Sequence, residues 1–239
     1  MANKQVLINR QTVHRESNIE LFRIISMLLI VAHHYVMNSG ISELMLDNQL
    51  VFKSIFFYLS GAWGKTAINC FVMITGYFMC TSRITLKKFL KLLFQIEFYN
   101  IIIYFLFVVF GNERFSFSAL LYTIAPVKVI GNEFISAFIV LFLLIPFLNA
   151  LFRNISERMH IRLIVLSLLL YSLLATFPFP GFSMTMNYIS WFIVIYCISA
   201  YVRLYPKALF MKTYVWGMTA LIVFLISALS IIICLFNGW

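Results

Sequence analysis

The first long apolar segment of the chain contains an arginine and two histidines, Arg23, His33 and His34. Such groups are costly inside a bilayer and are rarely kept there without a function. Arg23 precedes His34 by 11 residues, so at about 100° per helical residue the two side chains lie within about 20° of the same helix face. At about 1.5 Å per residue they are about 16 Å apart along the axis. His33 points about 100° away from His34.

These residue types suit anion binding and acid–base chemistry. A guanidinium binds phosphate through paired hydrogen bonds, and a neutral imidazole acts as a general base or as a nucleophile. Two structural interpretations stay open: Arg23 only extends to the nearer headgroups, or a histidine only hydrogen-bonds a neighbouring helix. Because the adjacent histidines face different ways, no metal site is predicted.

A second landmark is the run from Asn69 to Phe78, which reads Asn-Cys-Phe-Val-Met-Ile-Thr-Gly-Tyr-Phe. Asn69 is a further polar candidate at its start. Gly76 permits close approach of another helix, and Thr75 can hydrogen-bond across helices, although a packing seam explains both residues equally well. Glu97 is the acidic residue that lies well inside an apolar run. It either forms a structural ion pair with Arg23 or a lysine, or faces a polar cavity.

Composition puts these residues in a membrane. The 239 residues are 63% hydrophobic and 11% charged, with mean hydropathy +0.97, whereas soluble domains are about 45–50% apolar and about 25% charged. Long continuous apolar runs predict an all-α, polytopic integral membrane bundle. The net charge of +10 does not indicate nucleic-acid binding, because the basic residues cluster between the apolar runs.

About seven transmembrane helices are predicted, at residues 20–37, 66–80, 89–110, 134–152, 162–178, 187–203 and 213–236. Residues 50–63 form either an interfacial helix or the outer part of a longer second span, and 115–130 are expected to form a surface segment. Most of the 18 lysines and arginines then fall on the side of the amino terminus, which the positive-inside rule assigns to the cytoplasm. Residues 1–239 are interpreted as one membrane domain.

The two landmarks, in this order, resemble those of the membrane acyltransferase-3 family, bacterial enzymes that O-acetylate surface polysaccharides and related glycans. The first span of that family carries a basic residue, then ten residues, then a histidine, as Arg23 to His34 do. Its second span carries a run like Phe-Phe-Val-x-Ser-Gly-Tyr, and residues 71–78 match it with Val72 for the second Phe and Thr75 for Ser. Residues 134–149 and 188–206 are similar in style.

The resemblance implies an enzyme of the bacterial cytoplasmic membrane that moves an acetyl or other acyl group from cytoplasmic acyl-CoA to a hydroxyl of a cell-surface or lipid-linked glycan. Arg23 and His34 are then catalytic, and the donor phosphates contact Arg23, Lys87 and Lys88, unless the lysines only anchor the topology. Acetyl-CoA is a co-substrate, and no permanently bound cofactor is expected. Members usually have more spans, so we expect this chain to lack carboxyl-terminal ones.

Two further interpretations stay open. A glycan or lipid transporter or flippase would use the same polar groups as a permeation path and would move its substrate without consuming acetyl-CoA. The sequence lacks the matching Gly- or Pro-broken helices typical of such transporters. An inactive remnant would keep the fold and the motifs without the activity.

Overall fold

A computed structural model describes residues 17–41, 52–124, 133–176 and 187–236. Every regular element within these ranges is helical, so the predicted all-α class is confirmed. The helices are α1 (Ser17–Asn38), α2 (Phe52–Met79), α3 (Leu86–Val109), α4 (Phe117–Ile124), α5 (Phe134–Asn154), α6 (Glu157–Leu168), α7 (Tyr188–Leu204) and α8 (Thr213–Phe236). A π-helical turn, Leu169–Leu173, and a short α-helical turn, Leu174–Thr176, extend α6.

Among the described residues, four helices are long and apolar enough to cross a membrane: α1, α3, α5 and α8. They contain 21 to 24 residues each, which matches the roughly 20 residues that a bilayer core requires. The helix α7 is apolar but shorter, with 17 residues. The chain is therefore a helical membrane protein, and the count of seven spans stays a prediction.

The helix α2 differs most from the expectation, because it runs unbroken for 28 residues from Phe52. From Phe52 onward one helix covers both the predicted second span at 66–80 and the apolar stretch before it, so a separate helix at 50–63 is wrong. The longer second span stays a prediction. Lys65 and Asn69 lower the hydropathy of the middle of this helix. They do not end it, since an α-helix satisfies its own backbone hydrogen bonds whatever side chains it carries.

Local residue chemistry explains where other helices begin and end. Thr85 Oγ1 accepts a hydrogen bond from the Lys88 amide at 3.4 Å, and Asn187 Oδ1 accepts one from the Ser190 amide at 2.9 Å. Both caps satisfy an amide that lacks an intrahelical partner, and so fix the first turns of α3 and α7. After α3, Gly111 adopts φ +75°, a left-handed conformation that glycine tolerates best.

The predicted surface segment at residues 115–130 contains the short helix α4, and its remainder lies outside the described residues. Likewise, the predicted span at 162–178 coincides with the later part of α6 and its π-helical extension as far as residue 176.

The chain divides into two compact units. The first unit, residues 1–74 and 218–239, contains α1 and most of α2 and α8; the second, residues 75–217, contains α3 to α7. In the second unit the core lies between α5 and α7, where Leu141, Ile145, Phe192 and Tyr196 are buried. The interpretation of the whole chain as one membrane domain stays a prediction.

Candidate functional site

In the first unit, α1 packs antiparallel on α2. Arg23 Cζ lies 6.0 Å from the centroid of the Phe71 ring, at the outer limit of a cation–π contact. Further along α1, His33 Nδ1 lies 2.5 Å from the carbonyl oxygen of Gly61. Residue numbers thus rise along α1 as they fall along α2. The two contacts are about 15 Å apart along the α1 axis.

His33 is the histidine that faces α2. Its side chain is half-buried, and Nδ1 carries the proton, because the Gly61 carbonyl can only accept a hydrogen bond. Gly64 makes room for the ring, since a Cβ built at that position would overlap the imidazole. The space at Gly61 is also small, since a Cβ there would lie 3.2 Å from Val36 Cγ1. We call the surface between these two glycines the Gly61–Gly64 recess.

His34 lies on the exposed side of α1. Its ring meets the His33 ring edge-on, with the centroids 5.6 Å apart. Arg23 is also exposed, and the unbroken helix between Arg23 and His34 keeps the register on which their predicted alignment depends. The cation of this pair therefore lies near α2, whereas the imidazole is exposed.

The predicted donor-binding lysines lie in the second unit, in the first turn of α3. Lys88 Nζ donates to the Arg83 carbonyl at 2.9 Å. Lys87 lines an open groove of about 890 Å³ along α3, together with Leu86, Leu90, Lys91, Phe94, Gln95, Phe98 and Tyr99. The groove thus offers cations at one end and an aromatic, apolar surface beyond. Glu97 lies on the same helix with both carboxylate oxygens buried.

The run from Asn69 to Phe78 contributes to both units. Asn69 is half-buried in the first, and Thr75 and Gly76 begin the second. At Gly76 the helix α7 comes very close: a Cβ there would lie 3.0 Å from Ser199 Cβ and 3.1 Å from Tyr196 Cδ2. A larger residue at this position would push α2 and α7 apart.

Two polar links of the second unit were not expected from the sequence. In the first, the buried Asn149 side chain donates to the Met79 carbonyl at 2.9 Å and accepts from the Tyr196 hydroxyl at 2.7 Å. It joins α5 to the end of α2 and to α7. The available signal was an asparagine within a long apolar run, but its partners are distant in the chain.

The second link joins the end of α7 to α2. Arg203 Nη1 donates to the Tyr77 hydroxyl at 2.9 Å, and Arg203 Cζ lies 4.7 Å from the centroid of the same ring. At the level of sequence, Arg203 is only one of the basic residues that orient the chain in the membrane. Tyr77 belongs to the Asn69–Phe78 run, so that run holds a cation as well as a close helix contact.

An ion pair outside the predicted spans links the start of α6 to the segment after α7. Glu157 Oε1 lies 2.6 Å from Lys207 Nζ and accepts from the Tyr201 hydroxyl at 3.0 Å. The hydrogen bond from Lys207, and then that from Tyr201, lowers the pKa of the Glu157 carboxyl below its ordinary value. The same bond to Glu157 raises the pKa of Lys207. Both side chains are solvent-accessible, so the pair contributes little to stability.

A family model described as an acyltransferase domain matches residues 16–239 of the chain. The chain belongs to the acyltransferase-3 family. The resemblance inferred from Arg23, His34 and the Asn69–Phe78 run is therefore confirmed, and the protein is a membrane acyltransferase. Neither the curated proteins nor the solved structures contain a match to it.

Acyl transfer requires a group that takes a proton from the acceptor or receives the acyl group, and imidazole suits both tasks. Among the described histidines of this acyltransferase, His160 is fully buried and structural: its Nε2 donates to the Cys197 carbonyl at 3.0 Å, and its ring stacks on Phe152. His33 is held by α2. His34 is therefore the accessible imidazole of the described part of the chain.

Proposed function

We propose that this acyltransferase moves an acetyl or other acyl group from cytoplasmic acyl-CoA to a hydroxyl of a cell-surface or lipid-linked glycan, in the bacterial cytoplasmic membrane. The observation that carries the proposal is that one unbroken helix, α1, bears the exposed side chains of Arg23 and His34 about 16 Å apart. An extended donor with phosphates at one end and a thioester at the other matches that separation.

The reaction balances without any further reactant. As the acceptor oxygen attacks the thioester carbonyl, His34 takes the hydroxyl proton, the new carbon–oxygen bond forms, and the carbon–sulfur bond breaks. The proton then passes to the sulfur, which leaves as the free thiol of CoA. Alternatively, the neutral imidazole attacks the thioester first, the carbon–sulfur bond breaks, and the sulfur leaves as the CoA thiol with the imidazole N–H proton. The acyl-imidazole then gives its acyl group to the acceptor oxygen, and the hydroxyl proton returns to the imidazole.

Each unit has cations suited to the donor phosphates. In the first unit Arg23 is exposed and offers paired N–H donors. In the second, Lys87 and Lys91 stand at the head of the α3 groove, and Lys88 is exposed beside them. Lysine binds phosphate as a point charge, whereas arginine orients it through paired hydrogen bonds, so each of these groups suits the donor phosphates in its own way.

Replacing His34 with Ala tests the catalytic role. Membrane vesicles that contain the full chain receive acetyl-CoA labelled in its acetyl group, and both the label in the glycan fraction and the free CoA thiol are measured. We expect H34A to lower the transfer rate about 10²–10⁴-fold, the usual contribution of a general base. Met37→Ala, at an exposed position of the same helix, is the matched control. Unchanged acetylation in H34A would overturn the role.

Replacing Arg23 with Ala tests donor binding. We expect R23A to raise the KM for acetyl-CoA, with R23K intermediate because it keeps the charge but not the paired donors. Lys212→Ala, an exposed cation of the same predicted side, serves as the control. An unchanged KM in R23A would leave Arg23 as an anchor. Movement of glycan across the membrane without release of CoA would contradict the whole proposal and favour a transporter.

A further inference from the structure

We propose that His33 is a positioning residue: its hydrogen bond in the Gly61–Gly64 recess fixes the rotation of α1 on α2 and thereby the location of the His34 imidazole. This inference rests on the proposed function of His34, and it extends it to a residue and a pair of glycines with no role in the scheme above.

The contact is specific to these residue types. The Gly61 carbonyl lies inside α2, so one of its lone pairs serves the helix, and the second is left for an outside donor. His33 Nδ1–H occupies that second position at 2.5 Å. Only a residue without a side chain at position 64 leaves space for the ring, since any Cβ there overlaps it. The contact therefore requires all three: the N–H donor of His33, the carbonyl of Gly61 and the space at Gly64.

Two contacts with α2, about 80° apart around the axis of α1, fix its rotation. Arg23 lies over Phe71, and His33 binds Gly61 about 15 Å further along the axis. If the His33 contact is lost, the helix is free to turn at the end that carries His34. A side chain about 5–6 Å from the axis moves by about 2 Å for a rotation of 20°. A misplacement of about 1 Å can cost about 100-fold in rate.

The first experiment asks which ring nitrogen of His33 matters. The side-chain amide of Asn reaches the position of Nδ1, whereas that of Gln reaches the position of Nε2. We expect H33N to restore most of the maximal rate of labelled acetyl transfer, and H33Q and H33L to lose up to about 100-fold. The KM for acetyl-CoA should stay unchanged throughout, because Arg23 is untouched.

Three results of this experiment would overturn the inference. Wild-type rates in H33L would show that the contact is not needed. Activity in H33Q together with loss in H33N would assign the reaction to Nε2 and make His33 a catalytic base. A change confined to the KM for acetyl-CoA would assign His33 to donor binding.

The second experiment needs no substrate. Purified full-length chain is melted in detergent as the unchanged protein, H33A, Gly64→Ala and the double variant. We expect G64A to lower the melting temperature, and H33A/G64A to melt no lower than H33A, because the ring that collides with the new methyl is gone. Gly217→Ala is the matched control, since a Cβ at that helical position meets nothing within 4 Å.

If the losses of melting temperature in H33A and G64A add up in the double variant, His33 and Gly64 are not in contact, whatever the enzyme assay gives. If the unchanged protein transfers no acyl group, the proposed function fails, whereas the melting cycle still decides whether His33 and Gly64 are in contact.

Discussion

A methyl group at Gly76 is a sharp test of the close approach between α2 and α7. The Cβ of an alanine there would lie 3.0 Å from Ser199 Cβ, 3.1 Å from Ser199 Oγ and 3.1 Å from Tyr196 Cδ2. Carbon atoms in ordinary contact are about 3.5–4.0 Å apart, so the neighbours must retreat by about half an ångström. Ser199 Cβ is attached directly to the α7 backbone, and a side-chain rotation therefore cannot relieve the collision.

Two opposing terms set the magnitude for Gly76→Ala. Replacing a helical glycine with alanine gains about 1 kcal/mol of helix propensity, and overpacking a well-filled interface costs about 1–3 kcal/mol. Because the backbone of α7 has to move, we take the upper part of that range and expect a net loss of about 1–2 kcal/mol. For a chain of this size each kcal/mol changes the melting temperature by roughly 2–4 °C.

The assay is thermal unfolding of the purified chain in detergent, with Gly217→Ala as the matched variant. G217A should melt at or above the temperature of the unchanged protein, because its new methyl meets no atom within 4 Å. G76A should melt several degrees below it. If G76A melts as high as G217A, α2 and α7 are not packed as described, and the reasoning from the Gly76 contact is refuted.

Two further predictions concern polar links of the second unit. Tyr196→Phe removes the hydroxyl that donates to Asn149 and leaves a buried acceptor, so we expect a loss of about 1–3 kcal/mol in the same melting assay; an unchanged melting temperature would contradict the link. Glu157→Gln removes a carboxylate whose pKa is lowered in the folded state by the bond from Lys207. Its contribution is therefore present above the unfolded pKa of the carboxyl and lost as the pH falls through the lowered folded pKa. At neutral pH, E157Q should melt at a slightly lower temperature than the unchanged protein, and in acid the two should melt at the same temperature. A difference in melting temperature that persists in acid would contradict the ion pair between Glu157 and Lys207.

The sequence predicts helices well where an apolar run is long and uninterrupted. The limits of α8 agree with the predicted span at 213–236, and those of α5 differ from 134–152 by only two residues at one end. The predicted second span begins later than α2 because Lys65 and Asn69 interrupt the hydropathy signal. Membrane hydropathy reports what a bilayer tolerates, whereas helix continuity depends on backbone hydrogen bonds.

The sequence predicts which residue types form the candidate site, but not which of their side chains meets another helix. The helical period shows that His33 and His34 point about 100° apart, yet it does not say which of them meets another helix. That depends on the absence of side chains at Gly61 and Gly64, residues of a different helix whose pairing with α1 no local pattern reveals. The same holds for Asn149, whose partners follow from the fold alone.

The link between Arg203 and Tyr77 has a consequence for the charge at the end of α7. A carboxylate partner would hold the guanidinium and cancel it, whereas a ring and a hydroxyl hold it and leave its charge intact. Arg203 stands in the last turn of α7, where the helix dipole is negative and favours a cation. Within the described part of the chain, Arg203 is thus held in position by groups that carry no charge, in contrast to Lys207, whose charge Glu157 balances.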